Sequence, residues 1–304
     1  MFARLPAVST PRPIGPDPGP RWWNVEREVT ASELEVVADR LWAHGAVAIS
    51  ETPDPEIPDR VRLVAGFDDA GAAGRAADAV TGRMVAVDDD TWLDAWRAFA
   101  RPVRVADRLV VRPAWVEPAD DDAAAVAAGT ALDVVVEPGR CFGDGAHPTT
   151  RQVLAWLVEA VRPGCRMADV GCGSGVLAVA ALVLGAGSAV ALDVDADAVA
   201  VTRANAEANG VADRCTVHLV GGDPRELAGH LTGGVDVIAA NIGANALVAA
   251  ADVVVAALAP GGVLALSGVL TGRAGDVIAA YGRAGLVVAV ERVDEDWALL
   301  VGQR

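Results

Sequence analysis

The chain has 304 residues, long enough for two domains with cores of their own. It is 53% hydrophobic but only 4% aromatic, so Ala, Val and Leu must build those cores. All 25 basic residues are Arg, set against 41 acidic ones for a net charge of −16; the lack of Lys excludes Schiff-base and P-loop lysine chemistry, and the charge disfavours nucleic-acid binding through the surface as a whole and either attracts a basic protein or serves solubility alone.

Residues 1–20 hold six prolines and few apolar anchors, the composition of a disordered tail. No hydrophobic segment precedes those prolines, so no signal peptide is read there. Strands and helices then alternate over 21–88. A strand is expected over 22–29, opening on Trp22 and Trp23. Thr30-Ala31-Ser32-Glu33 reads as a capping box, and Leu34, Val37, Leu41 and Trp42 recur at helical spacing until Gly45 ends the helix. A second strand is expected over 46–50, a loop over 51–59, a third strand over 61–67, a helix over 70–80 and a fourth strand over 84–87. The order βαββαβ is that of a ferredoxin-like sandwich. Trp22 and Trp23 either form a partner patch or divide between surface and core, as adjacent strand residues do.

A short helix carrying Trp92 and Trp96 is expected over 91–100, and a hairpin over 103–115. Asp120-Asp121-Asp122 and the alanines after it read as a solvated loop or short helix. Three consecutive carboxylates point apart, so no metal site is expected. Glycines then punctuate a loop from Glu137 to Thr150, and Thr149 or Thr150 is read as the cap of a helix reaching about 161. His147 in that loop is a neutral donor behind the site, orients a substrate amine, or is a loop histidine bonded to backbone.

From 166 onward strands are expected over 166–171, 189–193, 215–220, 235–241, 262–267, 286–293 and 296–302, with helices over 175–184, 195–209, 245–258 and 271–284. This alternation predicts a doubly wound parallel sheet. The last two strands lie too close for a crossover helix, so they form an antiparallel hairpin, a feature of methyltransferases rather than dehydrogenases. The apolar run over 175–192 approaches membrane-spanning length but is broken by Gly185-Ala186-Gly187-Ser188. Cys141, Cys165, Cys172 and Cys215 show no metal-like spacing and suit a reducing cytoplasm.

The first of those strands ends in Asp169-Val170-Gly171-Cys172-Gly173-Ser174-Gly175. Glycines at alternate positions bring bare backbone close to a ligand, and a helix N-terminus follows. A dinucleotide site reads G-x-G-x-x-G, whereas here the spacing is G-x-G-x-G behind Asp169. That acid repels a pyrophosphate and welcomes a sulfonium, which favours S-adenosylmethionine over NAD. Asp193 closes the next strand, 22 residues after Gly171, where a carboxylate accepts from both ribose hydroxyls. Asn241 closes the fourth strand, where it either accepts from a substrate amine or is a turn residue at a helix start.

Together these stretches resemble one family. Val103 to Trp115, Phe142-Gly143-x-Gly-x-His147-Pro148-Thr149-Thr150, Asp169-x-Gly-Cys-Gly-Ser-Gly175, Asp193-Val194-Asp195 and Ala240-Asn241-Ile242 resemble the PrmA type, methyltransferases of large-subunit ribosomal protein eleven. The resemblance implies an α/β fold with a class I, seven-stranded doubly wound methyltransferase domain over 138–304. It implies a ferredoxin-like domain over 21–88 that grips the ribosomal protein, and a linker helix and hairpin over 89–137. It implies S-adenosylmethionine as donor and lysine or N-terminal amines as acceptors. Cofactor contacts are expected at Thr150, Asp169, Gly171, Gly173, Gly175, Asp193 and Asn241, and a role in the transfer at Asn241 and His147. A cytoplasmic monomer is expected, with no metal, no membrane and no direct nucleic-acid contact. Three positions depart from the family: Asp144 and Ala146 where Thr is usual, and Gly243 where Leu is usual. They leave another protein or a small amine open as acceptor; a silent cofactor-binding module is the reading from another class.

Overall fold

The computed structural model describes residues 22–46, 48–53, 57, 60–67, 69–87, 100–137, 141–143 and 145–304. The expected tail over 1–20, the helix with Trp92 and Trp96, and Asp144 lie outside the described residues. The chain divides into two compact units, Met1–Trp92 and Leu93–Arg304.

In the first unit the order is β1 (Trp23–Thr30), α1 (Ala31–Ala43), β2 (Ala48–Pro53), β3 (Arg60–Phe67), α2 (Ala70–Val80) and β4 (Arg83–Ala86). The sheet runs β2-β3-β1-β4, all antiparallel, which is the ferredoxin-like arrangement. Glu33 reaches back to the Thr30 N–H at 3.0 Å, one arm of the expected capping box, and accepts from the Thr30 hydroxyl at 2.8 Å. Asp69 caps α2 by accepting from the Ala72 N–H at 2.6 Å. Val25, Val29, Leu41, Leu63 and Phe67 fill the core. Trp23 packs against it, whereas Trp22 lies over Gly66, so the pair divides between two environments. Strand β2 begins later than expected and runs on to Pro53, opposite Val61. Pro53 is tolerated because β2 is an edge strand and needs no donor there.

The second unit opens with β5 (Val103–Val105) and β6 (Leu109–Arg112), the expected hairpin, and α3 (Asp120–Ala127). The unexpected strand β7 (Leu132–Val135) then pairs parallel to β6. Residues of this small sheet share one core with the larger one, so 103–137 packs as part of the unit. After α4 (Pro148–Ala160) come β8 (Arg166–Val170), α5 (Val176–Val183), β9 (Ser188–Asp193), α6 (Ala196–Ala208) and β10 (Cys215–Leu219). A short α7 (Leu227–His230), which sequence periodicity does not reveal, precedes β11 (Val235–Asn241) and α8 (Ala244–Ala257). The chain finishes with β12 (Leu258–Leu270), α9 (Ala274–Arg283), β13 (Val288–Asp294) and β14 (Trp297–Gln303).

These strands form one sheet in the order β10-β9-β8-β11-β12-β14-β13, parallel except for the terminal hairpin. Alternate residues face opposite cores: Met167 and Ala239 pack with α4 and α5, Ala168 and Ile238 with α8 and α9. Among the described residues no helix is long and apolar enough to cross a membrane. Tyr281 is fully buried in the second core, and its hydroxyl has no partner among the described residues. An unpaired buried hydroxyl costs about 1–3 kcal/mol. Tyr281→Phe is therefore expected to melt at the same temperature as the wild type or higher; a clear drop would show that the hydroxyl is satisfied.

Candidate active site

The chain leaves β8 for β9 and β10 on one side, then crosses to β11 on the other. That reversal opens a crevice at the carboxyl ends of β8 and β11. Val170 stands in register with Leu192 and with Ala240. Gly171, Asp193 and Asn241 each follow one residue later, so the sequence-predicted groups share one edge.

The turn after β8 has positive φ at three glycines, 75° at Gly171, 53° at Gly173 and 77° at Gly175. Most side chains avoid that region. A Cβ at Gly171 would also stand 2.1 Å from Ile242 Cγ2, one at Gly173 2.6 Å from the Phe142 carbonyl oxygen, and one at Gly175 2.6 Å from Thr202 Cγ2. The bare backbone thus serves the protein's own packing as well as the crevice. The Gly173 N–H donates to Asp193 Oδ2 at 2.8 Å, and the Asp195 N–H to Oδ1 at 3.0 Å. The Asp193 carboxylate is therefore aimed by the fold, and each oxygen keeps a lone pair for a further donor.

Asp169 lies beneath the turn and is fully buried. Its Oδ2 accepts from the Ala178 N–H in the first turn of α5 at 3.1 Å, and its Oδ1 has no partner among the described residues. Burial pushes its pKa up to about 7; the Ala178 N–H opposes that rise and the negative Asp193 adds to it.

At the other wall, Asn241 Nδ2 donates to the hydroxyls of Thr149 and Thr150, both at 3.3 Å. Asn241 Oδ1 is buried and has no partner among the described residues. The expected cap at Thr149 or Thr150 is corrected: His147 is the N-cap of α4, and its Nδ1 receives the Thr149 N–H at 3.3 Å. Pro148 takes the first helical position, where no N–H is needed. The two threonines then fall inside the helix, and their hydroxyls turn to Asn241. Thr149 Oγ1 lies 2.8 Å from His147 Nδ1, so with Nδ1 accepting the ring proton sits on Nε2. Phe142 and Trp297 flank the imidazole edge-on at 5.1 and 5.4 Å. Thus Asn241, Thr150 and His147 share one polar cluster, Gly171, Gly173 and Asp193 another, and Asp169 anchors the helix below.

Sequence reasoning missed Ser174. It is fully buried; its N–H donates to the Phe142 carbonyl at 3.0 Å and its Oγ to that of Gly143 at 2.6 Å. It also missed Thr202 and Asn205 of α6 and Asn209, which caps its C-terminus. Their spacing of i, i+3, i+7 was the available signal, because it sets polar groups along one helix face.

The donor set suits a cationic, sugar-bearing ligand: a carboxylate aimed from a strand end, open backbone at a helix start, and a buried amide oxygen without a partner. With the seven-stranded order and terminal hairpin, these features define a class I methyltransferase. A family model described as ribosomal protein L11 methyltransferase (PrmA) matches residues 67–304. A ribosomal protein L11 methyltransferase of Pelotomaculum thermopropionicum is 38% identical over 286 residues, 93% of this chain and 84% of that one. Its counterpart in Dechloromonas aromatica is 36% identical over 261 residues, 86% and 80% of the two chains. The crystal structure of a ribosomal protein L11 methylase from Lactobacillus delbrueckii subsp. bulgaricus superposes with a TM-score of 0.57 at 25% identity, covering 67% of this chain and 98% of that one. The chain belongs to the ribosomal protein L11 methyltransferase (PrmA) family. It is an enzyme, and its methyl donor is S-adenosylmethionine.

The Asp169 carboxyl has a folded-state pKa raised from 3.8 to about 7. Its contribution to stability is full below the unfolded value and is lost as pH rises through the folded one. Melting temperatures taken across that window should fall for the wild type relative to Asp169→Asn. Parallel curves would show that the folded protein does not hold this proton.

Proposed function

We propose that this chain methylates amine nitrogens of ribosomal protein L11, on lysine side chains or at the N-terminus. The observation that carries this reading is the orientation of the Asn241 amide. Its donor end is tied to two threonines, and its acceptor end is left without a partner among the described residues. A buried acceptor in that state is costly unless a ligand meets it.

The residues proposed to hold the donor are Asp193 for the sugar, and Gly171, Gly173 and Gly175 for close backbone approach. Thr150 and Asn241 flank its charged end, and Asp169, beneath the turn, holds the start of α5 under it. When bound, the donor supplies an electrophilic methyl carbon on a sulfonium. Asn241 Oδ1 accepts an N–H of the incoming amine and so turns the nitrogen lone pair toward that carbon. Thr149 and Thr150 keep the amide from flipping. His147, with its proton on Nε2, sits at the mouth as a neutral ring. The acceptor's ammonium loses one proton to water or a nearby group before reaction, and no side chain has to act as a strong base. Alignment, together with a pocket that favours loss of charge, supplies the acceleration.

The compact unit Met1–Trp92 supports a macromolecular acceptor, and we assign residues 21–88 to gripping it. The net charge of −16 favours a basic protein such as a ribosomal one. A cytoplasmic monomer without nucleic-acid contacts completes the proposal. A small amine is the second reading, favoured by Gly243: a Cβ there would meet nothing within 4 Å, which leaves room beside Asn241.

Labelled donor, purified ribosomal protein L11 and a panel of small amines test both readings. Asn241→Ala is expected to label the protein about a hundredfold more slowly than the wild type. Equal labelling would remove Asn241 from the transfer. Labelling of a small amine alone would move the acceptor to the second reading.

A further inference from the structure

Helix α6 turns polar side chains toward the glycine turn and the end of β7. Thr202 Oγ1 donates to the Gly173 carbonyl at 3.0 Å. Asn205, 3% exposed, donates through Nδ2 to the carbonyls of Ser174 and Glu137, at 2.8 and 3.0 Å. Its Oδ1 accepts from the Glu137 N–H at 2.9 Å. Asn209 treats Val135 in the same way, accepting from its N–H at 2.9 Å and donating to its carbonyl at 2.6 Å. Val135 ends β7 and Glu137 lies two residues further on, and Val136 between them donates to the Arg112 carbonyl on the opposite edge. The two amides therefore stand where a neighbouring strand would.

The turn is bonded to residues 142–143 as well. Phe142 and Gly143 take the N–H and hydroxyl of Ser174, whose carbonyl Asn205 holds. The glycine turn is thus gripped from one side by α6 and from the other by residues 142–143. Among the described residues, Asn205 is the side chain bonded both to the turn and to the residues that directly follow β7. Asn209 bonds to Val135 and, within its own helix, to the Asn205 carbonyl, but not to the turn.

We propose that Asn205 is a positioning residue for the donor: it fastens Glu137, just past β7, to the glycine turn and so sets donor affinity, while Asn209 supports the end of β7 alone. The inference rests on the reading of the turn as the donor site. Loss of Asn205 leaves the Ser174 carbonyl without that bond and frees the turn from the residues after β7. A turn that must be reordered on binding holds its ligand less tightly.

Full-length Asn205→Ala and Asn209→Ala are compared with the wild type by melting temperature, calorimetric donor binding and hydrogen exchange at the Ser174 amide. Both variants should melt lower by similar amounts. Asn205→Ala alone should weaken donor binding by about tenfold or more, with kcat within about twofold and the acceptor KM unmoved. It alone should also speed exchange at Ser174, whose N–H is bonded to Phe142 and not to Asn205. Asn205→Ser serves if the alanine variant does not fold, and the same changes are expected of it. Unchanged donor affinity in the Asn205 variant, or equal weakening in both, would overturn the proposal. A wild type that binds no donor would refute the methyltransferase reading itself. The exchange result then decides the fastening on its own: unchanged Ser174 exchange overturns it, and faster exchange in the Asn205 variant alone upholds it.

Discussion

The crevice depends on a stretch of backbone that must run left-handed at Gly171, Gly173 and Gly175. Steric closeness as well as conformation makes that demand. A strand-end isoleucine, a loop carbonyl and a helix threonine stand where the three Cβ atoms would be. Three elements from different parts of the chain are consequently located by one turn: the end of β11, the 142–143 loop and α6. Asp193 adds the fourth link, because its carboxylate holds the Gly173 N–H. A site assembled in this way is ordered by the fold before any ligand enters, which lowers the cost of ordering it on binding.

The second wall uses the same economy with side chains. Asn241 is oriented by two threonine hydroxyls, and one of these contacts a histidine that caps its own helix. Capping, amide orientation and ring orientation are thus one set of bonds. Ser267 extends it, donating to the Thr149 carbonyl at 3.3 Å. The unpaired amide oxygen that results faces the crevice edge, whereas the unpaired hydroxyl of Tyr281 lies among α9 core residues. The same local defect carries different meaning in the two places.

Much of this architecture was legible in the sequence because strong periodicity needs no partner to be seen. Helix α2 has the expected bounds, and the strands that end at Asp193 and Asn241 end where apolar runs meet a polar residue. Strand β7 was hidden because it has four residues and Asp133 interrupts it. That charge is neutralised by Arg112, with Oδ2 at 2.7 Å from Nη2, and local pattern does not show a partner 21 positions away. The cap of α4 was misplaced for a related reason. Threonine is the better capping residue by preference, but Pro148 and the distant Asn241 decide the outcome here. Asp169 was expected beside the ligand. Its spacing was right, but its depth beneath the turn depends on α5 packing over it. Asn205 and Asn209 could be seen as polar residues on one helical face, though not as substitutes for a strand.

Tyr281 is the chain's single tyrosine, and burial raises its phenol pKa well above the ordinary value. Phenolate absorbance is held back in alkali while α9 stays packed on the sheet. The ultraviolet difference signal of tyrosinate therefore counts open molecules directly, an intrinsic optical gauge of integrity that needs no attached dye.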